Sequence, residues 1–257
     1  MRKLGTLTII IFLFPLITPA WNSGQTQGSL TQPARANTPS PDEIIERYIN
    51  ASGGKGTLER ITSRISKGTF EITSLGVSGP IEKVEKAPDN TLLTFVFPGI
   101  GPISQGLTSS DGWVQNPFGG VRHFRGEELA WNKRIYAFQR PVRLKFMYQQ
   151  LYLTGIEKVR QRDTYVIEAT PAMGLPDKLF FEVQTGLLVR IDTVAEGPKG
   201  KTPFQILLTD YREVDGIQYP FSESHVGPTH SLTIKYTEIL HNTPLDDTRF
   251  LGPGSYR

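Results

Sequence analysis

The stretch "ASGGKGTLER", Ala51 to Arg60, gathers glycines, a lysine and a threonine in the manner of a phosphate cradle. Its spacing is wrong for that chemistry. A Walker loop places Ser or Thr directly after the lysine of a Gly-Lys pair. Here Gly56 separates Lys55 from Thr57, so ammonium and hydroxyl cannot take their places beside one phosphate. His123, His225, His230 and His241 stand at no metal-ligand spacing, and the chain has no cysteine to supply a thiolate. His225 and His230, within "HVGPTH", read as surface turn residues. "GVSGP" lacks the glycine spacing of a nucleophile elbow, and no pair of carboxylates stands out for acid–base work. A hydrolase site assembled from distant residues has no support here. The expectation is a protein that is not an enzyme and uses no cofactor, metal or nucleotide.

The elements around these residues say more. "SPDEIIERYINAS" reads as a helix, with Ser40 as N-cap, Pro41 in the first turn and Glu43 completing a capping box. Ile44, Ile45, Tyr48 and Ile49 share one of its faces. Gly53 and Gly54 are then the left-handed stop of that helix, and a second short helix starts near Thr57. From Arg64 onward the pattern alternates with period two, as in "DTYVIEAT", "KLFFEVQ" and "GLLVRID". Such runs describe a sheet with one apolar and one wet face. "QTG" and "VDG" are hairpin connections, and no helix-length segment separates the later strands, so the sheet is antiparallel. "PFGGVRHF" and "PGIGP" read as rim hairpin loops, with flexible lips around a ligand mouth as the functional alternative. Ten or more strands in one open sheet must curl. "RGEELAWNKRIYAFQRPVRLKFMYQQLYL" interrupts them with a helical pattern at Trp131, Ile135, Phe138 and Val142, ended or kinked by Pro141. A curved sheet needs a cover, and this segment and the N-terminal helix provide it. The fold class is therefore mainly β, a curved antiparallel half-barrel with helices over its concave face.

The alternation puts Phe181, Val189, Ile206, Tyr219 and Ile234 on the inner face, with Trp131, Ile135 and Phe138 packing down on them. These residues are the candidate lining of a cavity for a chain-like ligand, and plain core if the cover fits tightly. Near the C-terminus, "DDTRF" reads as part of a helical turn that buries Phe250.

"MRKLGTLTIIIFLFPLITPA", residues 1–20, has the layout of a secretory signal peptide, and residues 21–40 read as a disordered polar tether. Residues 41–252 then form one domain. Without the two bases of the leader the charge is 26 against 25, a net of +1, which offers no footprint for nucleic acid. The absence of cysteine excludes an N-terminal lipid anchor and disulfides, so a soluble periplasmic location is expected after cleavage.

"RYINASGGKGTLERITSRISKGTFEI", "VRQRDTYVIEATPAMGLPDKLFFEVQTGLLVRID" and "LTDYREVDGIQYPFSESH" together resemble the outer-membrane lipoprotein-sorting proteins, the LolA/LolB-like superfamily, in a less characterised branch. The resemblance spans roughly residues 42–250. It implies a half-open barrel plugged by helices, with an apolar cavity that holds lipoprotein acyl chains or other hydrophobic ligands. The lid residues that the sorting carriers use have no match here. Burial contributes about 0.8 kcal/mol per methylene, so such a chain can be held without any covalent step. The expected partners are lipid or lipoprotein acyl chains and inner- or outer-membrane envelope proteins. The alternative is an envelope interaction module on the same scaffold, with a filled core and no lipid.

Overall fold

The computed structural model describes residues 38–253 apart from Lys199. The leader and nearly all of the tether inferred above lie outside them. Two helices open the domain, α1 (Pro41–Ala51) and α2 (Lys55–Arg60). The capping box is present: the Glu43 backbone donates to Ser40 Oγ at 3.2 Å, and the Ser40 backbone donates to the Glu43 carboxylate at 2.7 Å. Gly53 and Gly54 have φ of +122° and +80°. A Cβ on Gly53 would lie 2.3 Å from the carbonyl oxygen of Gly216, so only glycine lets this corner touch the turn beneath it. The glycines are a corner and no phosphate cradle.

Six strands follow: β1 (Ser63–Ile72), β2 (Val77–Lys86), β3 (Asn90–Phe97), β4 (Gly101–Leu107), β5 (Gly112–Asn116) and β6 (Gly120–His123). Seven more come later: β7 (Gln150–Val159), β8 (Arg162–Thr170), β9 (Asp177–Glu182), β10 (Leu188–Gly197), β11 (Gly200–Val214), β12 (Ile217–Val226) and β13 (Ser231–His241). All belong to one antiparallel sheet of 13 strands, in the order β6-β5-β4-β3-β2-β1-β13-β12-β11-β10-β9-β8-β7. The sheet is curled and open, with β6 and β7 as its edges. "PFGGVRHF" and "PGIGP" are hairpin turns, between β5 and β6 and between β3 and β4.

The chain between those two edges forms the cover. Residues 124–149 leave β6, cross the concave face as α3 (Gly126–Ile135), α4 (Arg140–Arg143) and a 3-10 turn (Leu144–Met147), and enter β7. This strap is broken at Pro141 as expected, but its first helix stops earlier than the spacing of Trp131, Ile135, Phe138 and Val142 suggested. Helix α3 ends at Ile135, and Gln139 is left-handed at φ +53°. Pro141 lacks an N–H and its ring would clash with the previous turn, so the helix must stop ahead of it.

Two apolar clusters fill the concave face. In one, Ile44, Ile45 and Tyr48 of α1 with Trp131, Ile135 and Leu144 of the strap pack on Ile167, Leu179, Phe181, Leu188, Ile191, Phe204 and Ile206. In the other, Phe70, Phe95, Phe97, Ile103, Tyr219, Phe221, Ile234 and Tyr236 interlock between strands, and Tyr136 packs against them. A smaller outer cluster buries Phe250 against Ile65 and Val84, beneath the C-terminal 3-10 turn Asp247–Phe250.

Candidate functional site

A cavity of about 100 Å³ lies at the seam between the two clusters, under the broken part of the strap. Leu58, Ile135, Ile206, Leu208 and Ile217 give it apolar walls, and Tyr48, Tyr136, Tyr211 and Tyr219 turn their rings on it. The lining also carries Arg64, Lys83, Glu85, Arg140 and Glu223, with His225 and the polar Ser52, Gln139 and Gln218 beside them.

Strand register explains why these groups meet. Arg64 of β1 stands directly opposite Glu85 of β2, and their side chains pair at 3.3 Å. Lys83, two residues along on the same face, reaches the other Glu85 oxygen at 3.1 Å. On β12 the inward alternation Ile217, Tyr219, Phe221 runs on into Glu223 and His225, whose side chains lie 3.5 Å apart. The Arg64 guanidinium sits 4.2 Å from the centre of the Tyr219 ring and 5.3 Å from that of Phe138. Arg140, on the strap, donates to the carbonyl oxygen of Ile135 and forms no ion pair among the described residues.

Lys83 and Glu223 are each held ionised by their neighbours. Burial works against a charged Lys83, yet the carboxylates of Glu85 and Glu223 and the Tyr219 phenol raise its pKa above the usual lysine value. Burial alone would lift Glu223. The hydrogen bond to His225 and the positive charges of Lys83, His225 and Arg140 outweigh it and bring the carboxyl down to about 2. Burial pushes the Tyr48 and Tyr136 phenols up to about 12, so both are neutral donors at physiological pH. The Tyr236 hydroxyl is buried and has no hydrogen-bond partner among the described residues. It interacts electrostatically with Glu223, Tyr219, Glu85 and Tyr136, all of which line the cavity.

Ile135, Ile206 and Tyr219 line this cavity. Phe181 and Trp131 are buried in the dry cluster beside it, and Ile234 in the interstrand cluster. Phe138 packs with Leu58, Ile61, Ile217 and Val142 beyond the end of α3, away from Trp131 and Ile135. Val189 faces the other way. The pairing of β10 with β9 slips between Leu188 and Arg190, so Leu188 and Ile191 turn inward and Val189 packs with Val159, Val166 and Phe180 on the outer face. A bulge of this kind reverses the parity of a strand, which simple alternation cannot foresee. Val189 also lines an outer groove of about 560 Å³. The groove shares Leu208, Tyr211 and Gln218 with the inner cavity. At that wall β10 and β11 are no longer paired, and the Tyr211 hydroxyl bridges them by donating to the carbonyl oxygen of Leu188 at 2.6 Å.

His225 is a lining residue rather than the surface turn residue expected from "HVGPTH". Arg64, Lys83, Glu85, Arg140 and Glu223 were missed by the sequence reading altogether. A signal for some of them existed: Lys83 and Glu85 share the parity of buried Ile81, and Glu223 shares that of Phe221. No group of His, Asp and Glu among the described residues is arranged to hold a metal ion. No helix among them is long and apolar enough to cross a membrane.

No family model matches the chain, and neither does any curated protein. Solved structures do. A DUF1329 family protein from Desulfovibrio piger superposes with a TM-score of 0.57 at 16% identity, over 82% of this chain and 96% of that one. A LolA superfamily protein from Nitrosomonas europaea gives 0.55 at 11% identity, over 83% and 98%. A domain from Vibrio parahaemolyticus, assigned to the outer membrane lipoprotein-sorting proteins, gives 0.53 at 11%, over 81% and 94%. The chain has a LolA-like fold.

Proposed function

We propose that the protein is a periplasmic carrier or binding protein for a hydrophobic ligand, loaded and released by movement of the strap. The observation that carries this reading is how the concave face is closed. The cover makes no strand pairing with the sheet it spans. Beyond α3 it is held by side chains: Gln139 donates to the carbonyls of Leu58 and Ile61 at 2.8 and 2.6 Å, and Thr91 donates to that of Tyr136 at 3.2 Å. Lifting residues 136–147 breaks these bonds and the ion pairs of Arg143 with Asp89 and Lys145 with Asp42, but no ladder, and it uncovers the apolar walls of the seam. Net hydrogen bonds contribute about 1 kcal/mol each and exposing buried Phe138 and Leu144 costs about 1.5–3 kcal/mol apiece, a sum that burial of an acyl chain at about 0.8 kcal/mol per methylene offsets.

The cavity as it stands is smaller than the roughly 300–1,000 Å³ of ordinary ligand pockets, so an acyl chain requires the open form. Nothing in the site calls for bond-breaking chemistry, and the proposed role is binding. The dense packing of Phe181, Leu188 and Ile167, each fully buried, favours the second reading, an envelope module with a filled core. One experiment separates them. Protein purified from its native compartment is extracted with organic solvent for mass spectrometry, and its binding of a fluorescent fatty-acyl probe is titrated beside that of Ile206→Glu. A carrier yields co-purified lipid and probe binding that the substitution weakens. Absence of both leaves the filled module.

A further inference from the structure

We propose that the charged floor of the seam cavity takes the anionic head of an amphiphile, a carboxylate or a phosphate monoester, with Arg140 as its counter-charge. This rests on the carrier reading and names the ligand class.

Three permanent cations, Arg64, Lys83 and Arg140, face two carboxylates, Glu85 and Glu223, around one cavity. Arg64 and Lys83 both pair with Glu85, and the Glu223 carboxylate lies 3.5 Å from the His225 ring. Arg140 adds to the field on Glu223 but makes no ion pair among the described residues, so the cavity keeps one permanent positive charge in excess. The Arg140 guanidinium carries five N–H donors in a planar fork suited to carboxylate and phosphate, and it donates to one backbone carbonyl. A cover that merely capped a core would gain by using apolar residues, because burying charge is costly unless it is fully matched. The second observation is the space itself, a cavity of about 100 Å³ on which the Arg140 side chain borders together with Arg64 and Lys83.

The site favours an anion over a cationic head. The tyrosines alone resemble an ammonium cage, but the Tyr219 face is already occupied by Arg64. An amphiphile is favoured over a free anion because much of the lining is aliphatic, with Leu58, Ile135, Ile206, Leu208 and Ile217 able to hold the first methylenes of a tail.

The test compares a fluorescent polyene fatty acid with the corresponding primary alcohol, which has the same chain and no charge, on the intact protein at mildly alkaline pH. The acid should bind about tenfold tighter or more, the scale of one charge-assisted contact. Arg140→Gln should lower the acid to the affinity of the alcohol and leave the alcohol where it was, while Arg140→Lys keeps a preference for the acid. Millimolar inorganic phosphate should displace neither ligand. Equal binding of acid and alcohol by the wild type overturns the head site and leaves the carrier standing. Acid preference that survives in Arg140→Gln overturns the role of Arg140. Displacement by phosphate reassigns the site to a free anion. Failure of both ligands to bind removes the carrier reading and this proposal with it. The wild-type comparison needs no variant, so it decides even if Arg140→Gln does not fold.

Discussion

Two buried charge clusters lie on the inner side of this sheet, and they are built differently. Under α3, Asp177 of β9 accepts from Arg134 Nε at 2.7 Å, from the Tyr148 hydroxyl at 2.8 Å and from Thr193 Oγ1 at 2.5 Å. Thr193 in turn accepts from the Trp131 indole at 2.9 Å. The side chains of Arg134 and Asp177 are 5% and 0% exposed, one cation meets one carboxylate, and neither lines either cavity described above. This cluster clamps both α3 and the last residues of the strap to the sheet. The cluster around Glu85 and Glu223 has a surplus cation and open space beside it. A matched network is a fastening. An unmatched one beside a cavity is where a ligand completes the set.

Breaking the fastening should have the largest effect. Asp177→Ala leaves Arg134 buried without its counter-charge and should cost about 3–5 kcal/mol of stability in urea denaturation. A loss under about 1 kcal/mol would erase the distinction between the clusters. Next is pH. Glu223 has a folded pKa near 2, below the unfolded value of 4.5, so its contribution is present above pH 4.5 and disappears as pH falls toward 2. At about 1.4 kcal/mol per unit this is at most roughly 3 kcal/mol. Stability measured across that window should fall for the wild type and fall less steeply for Glu223→Gln. The groups that set it are Lys83, His225 and Arg140, from three separate elements.

The corner that seats α1 is expected to matter less. Gly53→Ala forces a side chain into a positive-φ conformation and against the Gly216 carbonyl, which should cost about 1–3 kcal/mol on thermal or urea unfolding. ATP and GTP should not bind, and measurable nucleotide affinity lost in Lys55→Ala would contradict the geometry of this loop. The smallest effect on stability belongs to Arg140→Gln. Its side chain is half-buried, makes no ion pair among the described residues and is the weakest of the charges acting on Glu223, so unfolding should shift by less than about 1 kcal/mol even where ligand preference is lost. Such a split between stability and binding is what the comparison requires.

Much of the fold was legible in order along the chain. The capping box at Ser40 and Glu43, the glycine corner, the alternating strands and the turn that buries Phe250 are all short-range patterns. Each follows from a local rule of backbone geometry or side-chain direction, which a sequence displays directly. The site was only partly legible. Ile135, Ile206 and Tyr219 reached the cavity because their strand or helix period was regular. Val189 did not, because one bulge turned it to the outer face. Phe138 left the expected stripe because α3 ends at Ile135, ahead of Pro141.

The sequence by itself determined a one-faced antiparallel sheet, an amphipathic cover and the absence of the usual catalytic spacings. Only the tertiary structure decided that the greasy face carries charge at its centre. Arg64, Lys83, Arg140 and Glu223 come from β1, β2, the strap and β12, as far as 159 positions apart, and each looks like an ordinary solvated residue where it stands. Register across β1, β2 and β12, together with the path of the strap from one sheet edge to the other, brings them to one cavity. Desolvation and mutual charge act only once that distance is closed, so the chemistry of the seam belongs to the fold.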